Sequence, residues 1–291
     1  MLGAMDVIET FDHEDGEGQP AVSERAGVHM AHFRLSMTQL NGKGLSIGWF
    51  MREAADRHWW ALADGVGLTP ARLRDSEGRR VIPAVLEVRV SGQFQSFNED
   101  DEAVLRLCDI PSAANGWRSL STLDAGAGAT ARVEIATDFL RRKARSNLEL
   151  EPTEPVLPDA EAGPAAARTR ELRQEGRALR LDAIEKAPHH SVPVCPETHL
   201  NGVGLMCFAA MGEGLAQAER KALAGPLGTL PLTSRAQSHF ANVDAGDWLD
   251  FTSEVDPVTA TADPSLRVRT WARRRSDGRV VAASTSCWGV Y

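Results

Sequence analysis

The chain has 291 residues, 43% of them hydrophobic, and a formal net charge of −8 at neutral pH. That is ample apolar material for one large or two ordinary domains. The acidic balance argues against a general nucleic-acid or anionic-membrane surface, so neither partner is expected.

Residues 1–26 are acidic and lack a basic stretch followed by an apolar one, so they read as a flexible tail rather than a secretion signal. Val28–Met37 alternates in the manner of a strand, and Asn41–Gly44 breaks it with turn residues. From Ser46, which can cap, a helix is expected up to Gly65. Ile47, Phe50, Met51, Ala54, Ala55, His58, Trp59 and Leu62 form one apolar stripe on it. Strand-like runs follow at Arg80–Val90, Ala103–Ile110, Arg118–Leu123 and Ala131–Leu140, at spacings that favour antiparallel meanders. Residues 149–165 are rich in proline and acid and read as a linker, followed by a helix over Ala165–Lys186 that Pro188 ends.

The plan then repeats. His190–Thr198 reads as extended, Asn201–Gly204 as a turn, and Met206–Leu223 as the second long helix. Leu232–Asn242, Trp248–Val255, Leu266–Arg275 and Val280–Tyr291 complete the series as strands. The two turns carry the same Asn-Gly-x-Gly-Leu motif at a constant spacing of 160 residues (201 − 41 and 205 − 45). At that spacing Cys207, Ala210 and Met211 match Ile47, Phe50 and Met51, and Glu213 matches Glu53. Two copies are too few for a solenoid and fit two fused versions of one domain. The expected units are residues 27–148 and 190–291, joined by residues 149–189. The expected class is α+β, each unit a long helix wrapped by a curved antiparallel sheet. There is no apolar run of about 18 residues, so no membrane span is expected. Cys108, Cys195, Cys207 and Cys287 form no CxxC pair and no zinc-like spacing with histidine. They read as reduced thiols in a cytoplasmic protein, with no metal.

The stretch LNGKGLSIGWFMREAADRHWWALA, with SRAQSHFANVDAGDWLDF in the second half, resembles a polyketide-associated family of double hot-dog proteins. That family is typified by the bifunctional acyltransferase/decarboxylase of leinamycin biosynthesis, and the resemblance covers roughly residues 28–291. It implies an enzyme of secondary metabolism acting on acyl thioesters of coenzyme A or of an acyl carrier protein. Phosphopantetheine would be the substrate handle, and no cofactor would be bound. Malonyl- or methylmalonyl-type decarboxylation or acyl transfer is the first expectation. Hydrolysis or dehydration on the same scaffold, or acyl or carrier-protein binding without catalysis, are the alternatives. The type member is thought to use an active-site tyrosine as acyl acceptor, and the only tyrosine here is Tyr291. Since the fused units already pair, both a monomer and a homodimer are compatible with the chain.

The residues support such chemistry directly. A helix starting after Asn-Gly-x-Gly offers free N–H groups and the positive end of its dipole to a thioester carbonyl. Asn41, Gly42, Gly44 and Leu45 would build that start in the first half, and Asn201, Gly202 and Gly204 in the second. His199, two residues before Asn201, and His239 are the expected general acids or bases. His58, Ser234, Arg235 and Asn242 would contact substrate. Arg141 and Arg142, and the run Arg273–Arg275, would receive phosphates or an acidic carrier protein. Glu53 lies roughly 150° from the apolar stripe, which places it in solvent rather than at a site.

Overall fold

The computed structural model describes residues 29–110, 117–126, 128–143, 146–156, 165–224, 229–257 and 266–289. The expected tail and Tyr291 lie outside them. In the first half the strands are β1 (His29–Arg34), β2 (Leu40–Asn41), β3 (Gly44–Leu45), β4 (Ile82–Gly92), β5 (Glu102–Ile110), β6 (Trp117–Ala125), β7 (Thr130–Arg142) and β8 (Leu150–Pro152), with helix α1 at Ile47–Val66. Helix α2 (Ala165–Leu181) follows. The second half has β9 (His190–Pro193), α3 (Pro196–His199), α4 (Phe208–Leu223), β10 (Leu232–His239), β11 (Trp248–Pro257), β12 (Leu266–Arg274) and β13 (Val280–Trp288). The class is α+β, with four α-helices among the described residues, the short α3 joining the three that the sequence predicts.

One antiparallel sheet runs through both halves in the order β1-β5-β6-β7-β4-β10-β13-β12-β11-β9, with β8 beside β7. Read from either end, the order is the same pattern. β4 and β10 are the two central strands, and they pair with each other from Ser91↔Ser234 to Glu87↔Ser238. This is the double hot-dog arrangement. α1 buries Phe50, Met51, Ala54 and Ala55 against Leu105, Val133 and Ile135. α4 buries Met211, Leu215 and Ala218 against Leu249, Phe251 and Val281. Each buried Phe, Met or Leu side chain among these contributes about 1.5–3 kcal/mol, so the two helical stripes hold the sheet's concave face.

The repeat is not uniform in spacing. The turn motifs match at 160, with Gly44 and Gly204 both at positive φ (93° and 76°). The helices match at 161. Phe50 N–H donates to Ser46 O, and Met211 N–H to Cys207 O, so Met211 is the counterpart of Phe50. The extra residue is Leu205, between Gly204 and Met206, because the bridge that joins Leu40 to Leu45 joins Leu200 to Met206 in the second copy. Phe208, Met211 and Gly212, not Cys207, Ala210 and Met211, therefore answer Ile47, Phe50 and Met51. Glu213 answers Arg52, not Glu53. These two counterparts meet across the pseudo-two-fold axis, where Arg52 Nη2 donates to Glu213 Oε1 at 2.7 Å.

Two further expectations change. The segment before the second turn is not extended throughout, because Pro196–His199 coils into α3. α2 stops at Leu181, short of Lys186. Beyond it the chain is drawn onto β12, where Trp271 Nε1 donates to Leu179 O at 2.8 Å and Arg273 reaches the carbonyls of Ala183 and Ile184. Gly176 lets α2 lie close on the outer face, since a Cβ there would meet Phe240 and Ser238 at 3.2–3.3 Å.

The two motif glycines give a test of the repeat. A Cβ on Gly44 would sit 2.2 Å from Phe94 O, whereas on Gly204 its nearest neighbour is Arg142 Nη2 at 3.6 Å. Gly204→Ala is expected to cost roughly 1–3 kcal/mol from backbone strain alone, and Gly44→Ala distinctly more. Urea denaturation of both variants checks the ordering.

Candidate functional site

Both helices begin at a cavity that the other helix helps to wall. The first, about 510 Å³, lies at the start of α1 and is lined by Asn41, Gly42, Ser46, Glu213, Arg220 and Arg235 among others. The second, about 530 Å³, lies at the start of α4 and includes Asp56, Asn201, Cys207, Phe208, His239 and Asn242. Both are of a size suited to a small-molecule site.

The helix starts differ. α1 is capped by its own side chain, Trp49 N–H donating to Ser46 Oγ at 3.3 Å. α4 has Cys207 at its N-cap position with no side-chain cap hydrogen bond. Phe208, its first residue, lines the second cavity at the positive end of the helix dipole, while the Cys207 N–H donates to His199 O.

The β10 strand supplies the rest. Its inward residues are Arg235, Gln237 and His239, where β4 turns Val88 and Val90 into the core. Arg235 and Glu219 form a buried pair at 2.7 Å. Ser284 and Ser286 Oγ donate to Glu219 Oε1, and Arg235 Nη1 donates to Gly212 O. Breaking such a pair by removing one partner is expected to cost about 3–5 kcal/mol, so it locks α4 to the sheet beneath the first cavity. Gln237 Nε2 donates both to Phe208 O (2.8 Å) and to His239 Nε2 (2.9 Å). An imidazole that accepts at Nε2 carries its proton on Nδ1 when neutral. Burial lowers the His239 pKa to about 4, so the ring is neutral at physiological pH even though the residue is partly accessible through the cavity. Nδ1–H has no hydrogen-bond partner among the described residues and is available as a donor. Asn242 Oδ1 accepts from the N–H groups of Met206 and Val243, both at 2.9 Å, which leaves its amide nitrogen to donate.

One carboxylate enters from the facing helix. Asp56 lines this cavity at its exposed edge. Desolvation, and then the Glu53 carboxylate, raise its pKa against the pull of Arg57. Glu53 itself is engaged by Arg57 at 2.8 Å and lines neither cavity.

The residues expected from sequence divide accordingly. His239, Asn242 and Asn201 come together at the second cavity, while Asn41, Gly42 and Leu45 line the first. The asparagine carbonyls hold the turns: Asn41 Oδ1 accepts from Lys43 N–H, and Asn201 Oδ1 from the N–H groups of Val203 and Leu205. Gly44, Gly202 and Gly204 shape those turns and line neither cavity. His199 accepts through Nδ1 from Cys195 N–H at 3.0 Å and closes α3 instead of facing substrate. His58 is fully buried in the first half with Nδ1 2.7 Å from Ser119 Oγ, away from both cavities. Ser234, on the opposite face of β10 from Arg235, lines neither. Arg141 is engaged by Asp75 and Glu151. Arg142 donates to Val203 O and Asn147 Oδ1, so it clamps the second turn rather than a phosphate. Asp56, Gln237 and the uncapped start of α4 were missed. The polar alternation Arg235-x-Gln237-x-His239, in a strand whose twin is apolar, was the readable signal.

No protein-family model and no curated protein matches the chain. Among solved structures it is similar to an acyl-ACP thioesterase from Bacteroides thetaiotaomicron (TM-score 0.60, 11% identity, covering 90% of this chain and 97% of that one). It is also similar to the 12:0-ACP thioesterase from Umbellularia californica (TM-score 0.62, 12% identity, 90% and 93%). At these identities the likeness is one of fold.

Two measurements follow. Nitrogen-15 spectra should show His239 as the neutral Nδ1–H form from pH 8 to 5, and Gln237→Leu should release that preference. For His58, burial lowers the folded pKa from 6.5 to about 3. Its neutral form is the folded one, so its contribution is complete above pH 6.5 and is lost as pH falls towards 3, at about 1.4 kcal/mol per pH unit. His58→Asn should flatten the acid slope of unfolding free energy by about one proton.

Proposed function

We propose that the chain is an enzyme acting on acyl thioesters, with its site at the start of α4, and that hydrolysis is the reaction this geometry supports best. The observation that carries the reading is the uncapped α4 start at a cavity also holding neutral His239, Asn242 and, from the facing helix, Asp56. The thioester carbonyl would lie against the α4 N–H groups, with Asn242 Nδ2 and His239 Nδ1–H as further donors. Asp56, ionised, would take a proton from water as the water oxygen bonds to the carbonyl carbon. The oxyanion collapses, the C–S bond breaks, and the thiol leaves with that proton, giving a free acid. The likeness in fold to proteins described as acyl-ACP thioesterases supports this choice. First-half Asn41, Gly42, Gly44 and Leu45 then build the capped, non-reacting start.

Decarboxylation of a malonyl-type thioester is the second reading. It needs the same carbonyl donors but no base. The apolar wall of Pro83, Val85 and Leu86, with Arg52 and Arg279 also lining the cavity, favours it.

Mass spectrometry of fatty acyl-, malonyl- and methylmalonyl-CoA and the corresponding carrier-protein thioesters separates the two: release of the thiol marks hydrolysis, and loss of carbon dioxide from an intact thioester marks decarboxylation. Asp56→Asn should lower kcat/KM for hydrolysis by roughly 100-fold or more. The raised Asp56 pKa should also place the acid limb of the wild-type profile above the ordinary aspartate range, and the variant should lack that limb. Undiminished thiol release by Asp56→Asn would remove hydrolysis through this carboxylate. Intact thioesters throughout would leave the chain a binding protein.

A further inference from the structure

A third cavity, about 470 Å³, lies on the outer face of the sheet beneath α2. It shares Leu86, Asp138, Pro152 and Phe240 with the cavity at the start of α4, so the two are contiguous through one wall. α2 contributes Arg173, Arg177 and Arg180 to it, at i, i+4 and i+7, hence on one helical face. Arg173 Nη2 donates to Asp138 Oδ1 at 2.5 Å, and the Arg180 guanidinium lies 5.7 Å from the Phe240 ring centroid. Arg177 has no hydrogen bond or ion pair among the described residues. With Asp138 neutralised by Arg173, Glu154 is the remaining carboxylate in the lining against two arginines. In a chain of net charge −8 such a cationic recess is a local reversal.

The arginine runs noticed in sequence do not compete for this role. Arg274 is paired with Asp277, Arg275 with Asp250, and Arg273 with backbone carbonyls. Arg89, also beside α2, is held by Glu87 and Glu175.

We propose that Arg177 and Arg180 form the phosphate-binding end of a pantetheine channel: the acyl group occupies the α4 cavity, the arm passes Phe240, and its phosphate ester is received under α2. This rests on the thioester reading above. The recognised chemistry is a phosphate monoester or diester on a pantetheine arm, common to coenzyme A and to carrier-protein-bound phosphopantetheine. Guanidinium groups suit it because their planar donors match phosphate oxygens in pairs.

The test is calorimetric titration of the full chain with pantetheine, 4′-phosphopantetheine and coenzyme A. Wild type should bind 4′-phosphopantetheine roughly tenfold or more tightly than pantetheine, as expected for one or two charge-assisted contacts at a partly exposed site. The double variant Arg177→Gln/Arg180→Gln should lose that difference while its affinity for pantetheine is unchanged. Arg177→Lys/Arg180→Lys should recover part of it, and Arg106→Gln/Arg132→Gln, of equal charge change on first-half strands, should retain all of it. Coenzyme A binding more tightly than 4′-phosphopantetheine points to coenzyme A as the source of the phosphate; equal binding points to a carrier protein. If wild type binds pantetheine but the phosphate adds no affinity, or the double variant keeps the gain, the subsite is wrong and the thioester reading stands. If wild type binds none of the three, both fall.

Discussion

Everything that positions the site follows from one contact, the antiparallel pairing of β4 with β10 at the middle of the sheet. Because that pairing relates the two halves by an approximate two-fold axis, it lays α1 and α4 side by side on one face. Each helix start then opens beside the middle of the other helix. Arg52 and Glu213, counterparts in the two helices, meet where the axis passes between them. An exposed pair of this kind contributes little stability by itself. Its meaning is geometric: each cavity is completed by residues from both halves, and neither half could form one alone.

Symmetry of the backbone does not carry over to chemistry. The first half spends its inward β4 positions on valines and closes its helix start with Ser46. The second half turns arginine, glutamine and histidine inward along β10 and leaves its helix start without a side-chain cap. Burying polar groups costs free energy unless each is paired. The Arg235–Glu219–serine network and the Gln237 bridge to Phe208 O and His239 largely meet that demand. The inward positions of the two central strands thus differ, polar along β10 and apolar along β4.

The outer face adds a layer that the duplicated plan does not contain. α2, from the connection between the units, packs on β10 through Gly176 and brings its arginines to the far side of the same wall that lines the α4 cavity. The connecting segment thus walls a cavity on the sheet's outer face, and is not only a tether between units.

Much of this was legible in the chain itself. Local periodicity marked both long helices and most of the strands, because apolar stripes and alternation are consequences of burial that each segment records alone. The repeated Asn-Gly-x-Gly-Leu motif disclosed the duplication, since the positive φ of Gly44 and Gly204 makes glycine the favoured residue there. Only the folded chain decided which of these residues share a cavity. A one-residue insertion just before Met206 shifted the helix register from 160 to 161, and so replaced Glu53 by Arg52 as the counterpart of Glu213. Whether a histidine ends in a core, in a turn or in a cavity depends on what long-range pairing places opposite it. His58, His199 and His239 had similar claims by sequence, and only the crossing of β10 beneath α4 put the last of them beside an open helix end.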